Sequence, residues 1–117
     1  MEQNLIRHVF YYKNYYPDFY KRQTKDVQKK FNWTLELIEK IERVPKKYFD
    51  HITGTDGIWE VRIAVGGNNC RAVSNIDEEK KIIKANAFQK KSQKTPINEI
   101  ELAKKIKKEY FNEKSKK

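Results

Sequence analysis

Apolar residues recur with a period close to 3.6 in the first half of the chain. They fall at Val27, Phe31, Leu35, Ile38 and Ile41. This spacing predicts an amphipathic helix over Lys25–Arg43. A shorter helix is predicted over Pro17–Gln23, because proline suits the first turn of a helix. Thr24 separates the two helices. The aromatic and β-branched stretch Arg7–Tyr12, before this helical hairpin, predicts an opening strand.

The period of the apolar residues changes to two after residue 57. The alternating apolar positions are Trp59, Val61, Ile63 and Val65. They predict a strand over Ile58–Val65 with one apolar face. The run Gly66–Asn69 predicts a hairpin turn, and two further strands follow over Cys70–Ile76 and Lys81–Lys90. We expect these three strands to form an antiparallel meander.

The last part of the chain returns to a helical period. One apolar stripe is formed by Ile100, Ala103, Ile106 and Tyr110. Thr95 is the predicted N-cap of this helix and Pro96 its first residue. Glu99 then lies near the positive end of the helix. The predicted order of elements is therefore β, α, α, β, β, β, α.

This order predicts a small single-domain α+β fold. The N-terminal strand and the three-stranded meander form an antiparallel or mixed twisted sheet. The N-terminal helical hairpin packs against that sheet, the helices share one face of it, and a C-terminal helix ends the chain. We expect the domain to span residues 1–112 and residues 113–117 to form a frayed basic tail.

The amino-acid composition indicates a folded protein with a single domain. The chain has 117 residues, enough for one modest core, and 13% of them are aromatic. That aromatic content argues against a disordered chain, although 36% of the residues are charged. The N-terminus lacks the pattern of a signal peptide, and no apolar run approaches the ~20 residues that span a bilayer. We therefore expect a cytoplasmic protein that does not interact with membranes.

The sequence offers no cofactor site. One cysteine and two distant histidines cannot form a zinc site unaided. No glycine-rich loop precedes a predicted helix, which argues against a nucleotide cofactor. Cys70 is predicted to be a small buried residue, because neither histidine is linked to it in sequence. We expect neither a metal ion nor a small-molecule cofactor.

The positive charge is concentrated in the last third of the chain. The net charge is +10, yet residues 1–79 hold 13 basic against 12 acidic residues. Residues 80–94 hold six lysines and no acid, and residues 104–117 hold seven lysines and two acids. This asymmetry indicates a polyanionic partner, most simply a nucleic acid. The alternative is a lysine-rich surface that serves only solubility.

Basic side chains from separate strands are predicted to meet on the sheet face opposite the helices. Arg62 points to that face because Val61 and Ile63 point to the helices. An antiparallel neighbour can place Arg71 beside it, with Phe88 as an apolar platform for a base. Three further lysines, at positions 90, 91 and 94, lie within five residues. Their mutual repulsion favours a lowered pKa of at least one amine.

Three segments together resemble a known family. They are "GTDGIWEVRI" (Gly54–Ile63), "NNCRAV" with Arg71, and "FQKKSQKTPINEIELAKKIKKEY" (Phe88–Tyr110). They resemble the RelE/HigB-like toxins of type II toxin–antitoxin modules, and in particular the phage-derived branch of that family. The resemblance covers roughly Pro17 to Tyr110. It implies a compact RelE-like α+β fold like the one predicted from the residue pattern.

The resemblance also implies an activity. Many of these toxins bind the A site of the ribosome and cut messenger RNA there, using the 2′-hydroxyl of the RNA as nucleophile and no metal. The product carries a 2′,3′-cyclic phosphate. The implied partners are a cognate acidic antitoxin protein, the ribosome and messenger RNA. The implied function is therefore a metal-independent endoribonuclease that inhibits translation.

Carried over by position, the resemblance implies that Arg62 and Arg71 are catalytic, together with Lys90 and Lys91. Arginine stays protonated, so the two arginines hold phosphate oxygens, whereas a lysine with a lowered pKa can move a proton. The residues expected to bind RNA around them are His51, Glu60, Phe88, Gln89, Lys94 and Thr95. His51 lies near the position where a related branch has a functional histidine. The alternative for the lysines is phosphate positioning without chemistry.

Two other functions are compatible with the sequence. The first is a non-catalytic inhibitor of a protein target such as gyrase, like the ParE-like relatives of the same fold. Those relatives usually lack the basic set at Arg62, Arg71 and Lys91. The second is a plain nucleic-acid-binding module, for which a basic tail alone would suffice.

Overall fold

Within residues 5–77, 81–91 and 95–115, which the computed structural model describes, the chain forms five strands and three helices. In chain order these are β1 (His8–Tyr11), α1 (Tyr15–Lys21), α2 (Lys25–Lys40), β2 (Phe49–His51), β3 (Ile58–Val65), β4 (Asn68–Ile76), β5 (Lys81–Gln89) and α3 (Ile97–Ser115). The predicted α+β class is confirmed. The sequence pattern missed β2, which has three residues. No helix in these ranges is apolar over the length that a bilayer crossing requires.

The sheet is mixed and has the strand order β1-β5-β4-β3-β2. β1 runs parallel to β5, whereas the other neighbours are antiparallel. Gly66 and Gly67 both have positive φ, at 55° and 83°, which is the backbone of a tight hairpin turn between β3 and β4. That turn fixes the register in which Arg62 lies opposite Arg71.

One core lies between the sheet and the helices α1 and α2. Its fully buried members include Phe31, Ile38, Val61, Ala72 and Ile82. The helical period of α2 and the period of two in β3 supply the two apolar surfaces that meet here. Thr24 caps α2, since its side chain accepts a hydrogen bond from the amide of Val27 at 3.4 Å.

A second core lies on the other face of the sheet, beneath α3. Ala103 and Ile106 of α3 pack there against Ile58, Val73 and Ala85. The prediction that the helices share one face is therefore wrong for α3. The physical reason is that β3, β4 and β5 each carry an apolar residue on this second face, and burying those residues is favourable. α3 lies mainly over β4 and β5, and a cleft remains open beside β2 and the part of β3 around Arg62.

The start of α3 differs from the predicted cap. The helix begins at Ile97, and the carbonyl of Pro96 accepts a hydrogen bond from the amide of Ile100 at 3.2 Å. Thr95 lies two residues before the helix, where its hydroxyl donates to Glu60. α3 continues to Ser115, past residue 112, at which the predicted domain ends.

Candidate active site

A cleft of about 490 Å³ opens where β2 and β3 meet the end of β5 and the start of α3. We call it the cationic cleft. Its polar lining includes Asp50, His51, Glu60, Arg62, Lys90 and Thr95. These side chains come from four separate elements or connections, and the register of the sheet brings them together.

A row across three strands carries the predicted basic residues. Arg62 of β3 is paired with Arg71 of β4, which in turn is paired with Phe88 of β5. Residues paired in this way project from the same face of a sheet. The amide of Lys90 donates to the carbonyl of Asn69 at 2.7 Å, which extends the pairing of β4 and β5 by one residue. The predicted convergence of Arg62, Arg71 and Lys90 is present in the structure.

Glu60 is the buried carboxylate of the cleft, with only 3% of its surface exposed. Its Oε1 accepts a hydrogen bond from Arg62 Nε at 2.8 Å and lies 2.8 Å from Arg62 Nη2. The hydroxyl of Thr95 donates to its Oε2 at 2.7 Å. Arg71 Nε lies 3.8 Å from Oε1. A charge taken out of water needs such partners, and here one carboxylate serves two arginines.

Arg62 is held from three directions. Besides Glu60, its Nη2 lies 3.4 Å from Asp50 Oδ2, and its Nη1 donates to the carbonyl of Lys46 at 3.2 Å. The guanidinium plane is therefore fixed before any ligand arrives, which reduces the entropy lost on binding. The sequence pattern did not identify Asp50, because it lies on the short strand β2 that was not predicted.

Arg71 is the more buried arginine, with 12% of its side chain exposed. Its Nη1 donates to the carbonyl of Cys70 at 3.2 Å. Its Nε has no hydrogen-bond partner within the described part of the chain. Burial lowers the pKa of Arg71, and the neighbouring Glu60 partly opposes that shift. Arg71 remains a cation with unused hydrogen-bonding capacity.

Lys90 has a lowered pKa, as predicted for at least one of the lysines. Burial is the largest cause, the charge of Arg71 is the next, and Glu60 opposes them. The expected cause was repulsion among lysines 90, 91 and 94, so the environment of the amine differs from that expectation. A partly buried lysine beside two arginines is more easily deprotonated than a solvated one.

The next three predicted site residues are His51, Thr95 and Phe88. His51 and Thr95 line the cleft, and the His51 ring packs edge-on to Trp59 with ring centroids 5.4 Å apart. Phe88 is half-buried and packs against the core beneath α3, so only part of its ring is available to a base.

Two predicted residues lie elsewhere, and one is outside the described residues. Gln89 is paired with Cys70, whose side chain belongs to the core on the opposite face, and it hydrogen-bonds to Asn68 at 3.1 Å. Its predicted position at the cleft is wrong, because side chains alternate along β5. Lys91 is exposed and does not line the cleft. Lys94 lies outside the described residues.

The family model described as "Phage derived protein Gp49-like (DUF891)" matches residues 18–108. The match spans most of the chain and includes every cleft residue named above. No curated protein matches the chain. Among the residues that the structure describes, no three or more histidine, cysteine, aspartate or glutamate side chains cluster closely enough to hold a metal ion.

Proposed function

Because the chain belongs to the Gp49-like family of phage-derived proteins, we propose that it is the toxin of a type II toxin–antitoxin module. In this proposal it inhibits translation by cutting messenger RNA on the ribosome. The observation that supports it most is the meeting of Arg62, Arg71 and Lys90 around the buried carboxylate of Glu60. Like charges gather in this way at sites that receive a phosphate.

Binding in the cleft would rest on unequal contributions from the three cations. Asp50 and Glu60 already compensate Arg62, so Arg62 serves mainly to orient a phosphate oxygen. Arg71 has an unpartnered Nε within the described residues, and Arg71 and Lys90 supply most of the attraction. Phosphate contacts of this kind position the RNA, and the selection of a codon must come from contacts to bases.

The reaction would join the 2′-oxygen of a ribose to the adjacent phosphorus while the bond from phosphorus to the 5′-oxygen breaks. The 2′-hydroxyl must lose a proton, and the leaving 5′-oxygen must gain one, which water in the open cleft can supply. Arg62 and Arg71 stabilise the charge that builds on the phosphate oxygens in the transition state. Lys90, in its neutral form, is the candidate to take the proton, because its pKa is lowered.

The partners follow from the same proposal. Ribosomal RNA and messenger RNA supply polyanionic surfaces for the lysine-rich last third of the chain. Lys91, exposed beside the cleft, and Lys94 are phosphate contacts in this proposal. A toxin also needs an acidic antitoxin that neutralises it, encoded beside it.

Primer extension on a translated messenger tests the proposal. We expect the unaltered chain to cut the messenger only when ribosomes are present. Lys90→Ala and Arg71→Ala should each reduce cutting by about 100-fold, the loss typical for one group that stabilises a transition state. Lys105→Ala, which removes an exposed lysine of α3 outside the cleft, should leave cutting unchanged.

Two results would contradict the proposal in different ways. Ribosome stalling without cuts would indicate a non-catalytic inhibitor. Equal cutting by Lys90→Ala, Arg71→Ala and Lys105→Ala would move the activity away from the cleft. Circular dichroism of each variant shows whether it is folded before its activity is compared.

A further inference from the structure

A second positively charged depression lies beside α3, between that helix and the turn that joins β2 to β3. Its volume is about 280 Å³, and its lining is formed by Asp56, Ile58, Lys104, Lys107, Lys108 and Phe111. We call it the α3 groove. Among these described lining residues, three are lysines and Asp56 is the single acid. The groove is therefore a surface that attracts anions, separate from the polar lining of the cationic cleft.

The α3 groove continues from the cationic cleft along one side of the helix. Ile100 lines the cleft, and Lys104 and Lys108 line the groove. These three residues are spaced by four positions, so they form one row on the helix, each about 6 Å further along its axis. The opposite wall is also shared, since Thr53 of the turn lines the cleft and Asp56 of the same turn lines the groove. The two depressions therefore follow one another between the same two walls.

The lysines of the α3 groove differ in their contacts. Lys107 Nζ donates a hydrogen bond to the carbonyl of Asp56, which ties the turn to α3. Lys104 and Lys108 are exposed. The Lys104 ammonium lies 3.5 Å from Glu101 Oε1, and an ion pair on the exposed surface contributes little. Lys107 therefore holds the wall of the groove, whereas the ammonium groups of Lys104 and Lys108 are accessible to an anion.

The other side of α3 has a different balance of charge. Lys105 and Glu109 are one helical turn apart and share that side. The Glu109 carboxylate accepts a hydrogen bond from Lys13 at 2.7 Å. This bond lowers the pKa of Glu109, and the charge of Lys105 adds to the shift. The basic residues on this side thus have an acidic neighbour, which makes Lys105 a suitable comparison for the lysines of the groove.

The aromatic ring at the far end of the α3 groove indicates which anion it receives. Phe111 is half-buried beyond Lys108, and its ring lies edge-on to Tyr110 with centroids 5.1 Å apart. A basic groove with an aromatic side chain is typical of surfaces that follow the backbone of a single-stranded nucleic acid. Lysines hold its phosphates without reading the sequence, and a ring can stack on a base.

We propose that the cationic cleft and the α3 groove form one track for a single RNA strand. In this track the nucleotides on one side of the cut place their phosphates against Lys104 and Lys108. The presence of a cut in the cleft rests on the proposed function. The binding of the strand in the groove rests on the accessible lysines and on the shared walls of the two depressions.

Binding of an RNA that cannot be cut tests the track without any assay of cleavage. The probes are a dinucleotide and an octanucleotide of 2′-O-methyl uridine, and nuclear magnetic resonance measures both affinities. The dinucleotide is long enough for the cleft alone, whereas the octanucleotide also reaches the groove. We expect the double variant Lys104→Ala, Lys108→Ala to weaken octanucleotide binding at least about tenfold and dinucleotide binding less than about twofold. Lys107 stays unaltered because it holds the turn.

The double variant Lys25→Ala, Lys105→Ala is the matched control. It removes the same charge from two exposed lysines outside both depressions, and it should change octanucleotide binding less than about twofold. Salt dependence is a second readout, since each phosphate contact of a single strand contributes about 0.7 to the slope of log affinity against log salt. The groove variant should reduce that slope by about 1.4, and the control should leave it unchanged.

Four outcomes would overturn the track. Equal weakening by the two double variants would assign the effect to total charge. Weakening of dinucleotide and octanucleotide binding by the same factor would separate the groove from the strand. Tighter binding of an RNA duplex than of the octanucleotide would assign the groove to structured RNA, and equally tight binding of hexaglutamate would assign it to an acidic protein. A chain that binds the probes as expected but cuts no messenger would contradict the proposed function alone.

Discussion

At the scale of single residues, the cleft depends on hydrogen bonds to one buried carboxylate. Glu60 accepts from Arg62, which is two residues away on β3, and from Thr95, which is 35 residues away. The first bond orients a cation and the second ties the segment before α3 to the sheet. Bonds to a charged acceptor are stronger than those between neutral groups, so both contacts combine stability with positioning.

Thr95→Val removes the hydroxyl from this contact and keeps the shape of the side chain. We expect it to lower the free energy of unfolding by about 1.5–3 kcal/mol, the range for a hydrogen bond to a charged group. Thr95→Ser keeps the hydroxyl and should lose much less. Urea denaturation of both variants measures the difference, and equal stabilities of the valine and serine variants would contradict the role assigned to the Thr95 hydroxyl.

Replacement of Lys90 distinguishes proton transfer from phosphate positioning. If neutral Lys90 takes the proton, the cleavage rate should rise with pH up to the lowered pKa of Lys90 and then level off. Lys90→Arg keeps the positive charge but cannot be deprotonated in this range. It should therefore cut slowly and lose this pH dependence. A Lys90→Arg variant with an unchanged rate and pH profile would limit Lys90 to positioning.

Lys84 of β5 is 7% exposed. Lys84→Met should stabilise the protein at pH 7, because methionine fills the same space without a charge that burial disfavours. Burial lowers the pKa of Lys84 to about 8, below the ordinary lysine value of 10.5, although the charge of Glu39 partly opposes the shift. The folded state therefore binds fewer protons between these values, and the stability of the unaltered chain rises with pH across this window.

The advantage of Lys84→Met should be about 2 kcal/mol at pH 7 and should shrink as the pH approaches 10. Urea denaturation at both pH values measures it, and the control is Lys40→Met, which replaces an exposed lysine at the end of α2. A methionine variant that is less stable than the unaltered chain by the same amount at both pH values would contradict this account.

At the scale of secondary-structure elements, α3 both covers a core and borders the cleft. Its first turn is tied to β5, since Asn86 Nδ2 donates to the Glu99 carbonyl at 3.2 Å and to Glu99 Oε1 at 2.8 Å. Further along, Ala103 and Ile106 are buried against the sheet. The edge of the cleft formed by Thr95 and Ile100 therefore depends on the packing of the whole helix.

Two isoleucines of α3 offer a matched pair of substitutions. Ile106 is 1% exposed, whereas Ile97 is 77% exposed. Ile106→Ala should lower the free energy of unfolding by about 2–5 kcal/mol, because it removes apolar contacts and leaves a cavity. Ile97→Ala should change it by less than about 0.5 kcal/mol. Equal losses in urea denaturation would contradict the packing of α3 on the second face.

The elements were predictable where their pattern is local. The bounds of β3 follow from its period of two and from the glycine turn after it, and the same turn fixes the register that pairs Arg62 with Arg71. The face chosen by α3 was not predictable, because an apolar stripe does not specify which side of a sheet receives it. Ile58 and Val73 on the second face are the signal that could have indicated it.

The contacts that complete the cleft were harder to foresee. Asp50 lies on β2, and three residues are too few for a recognisable alternation. The bond between Thr95 and Glu60 joins the connection before α3 to β3, which is distant in sequence, and the same threonine also suited a helix cap. Sequence periodicity specifies the direction of side chains within one element, but it does not specify pairings between distant segments.

At the scale of the whole molecule, the sheet separates two basic residues that differ in their surroundings, Lys90 and Lys84. Lys90 lies at the cationic cleft, on the face partly covered by α3, beside Arg62 and Arg71. Lys84 lies on the face covered by α1 and α2, where the charge of Glu39 partly offsets its own.

The most direct test of RNA cleavage by the cationic cleft uses a messenger with a single 2′-deoxynucleotide at the mapped cut site, on programmed ribosomes. The 2′-oxygen is the proposed nucleophile, so we expect no cut at the deoxynucleotide, while the unmodified messenger is cut and the chain binds both complexes equally. Cleavage of the deoxy messenger at the same position and rate would contradict the account.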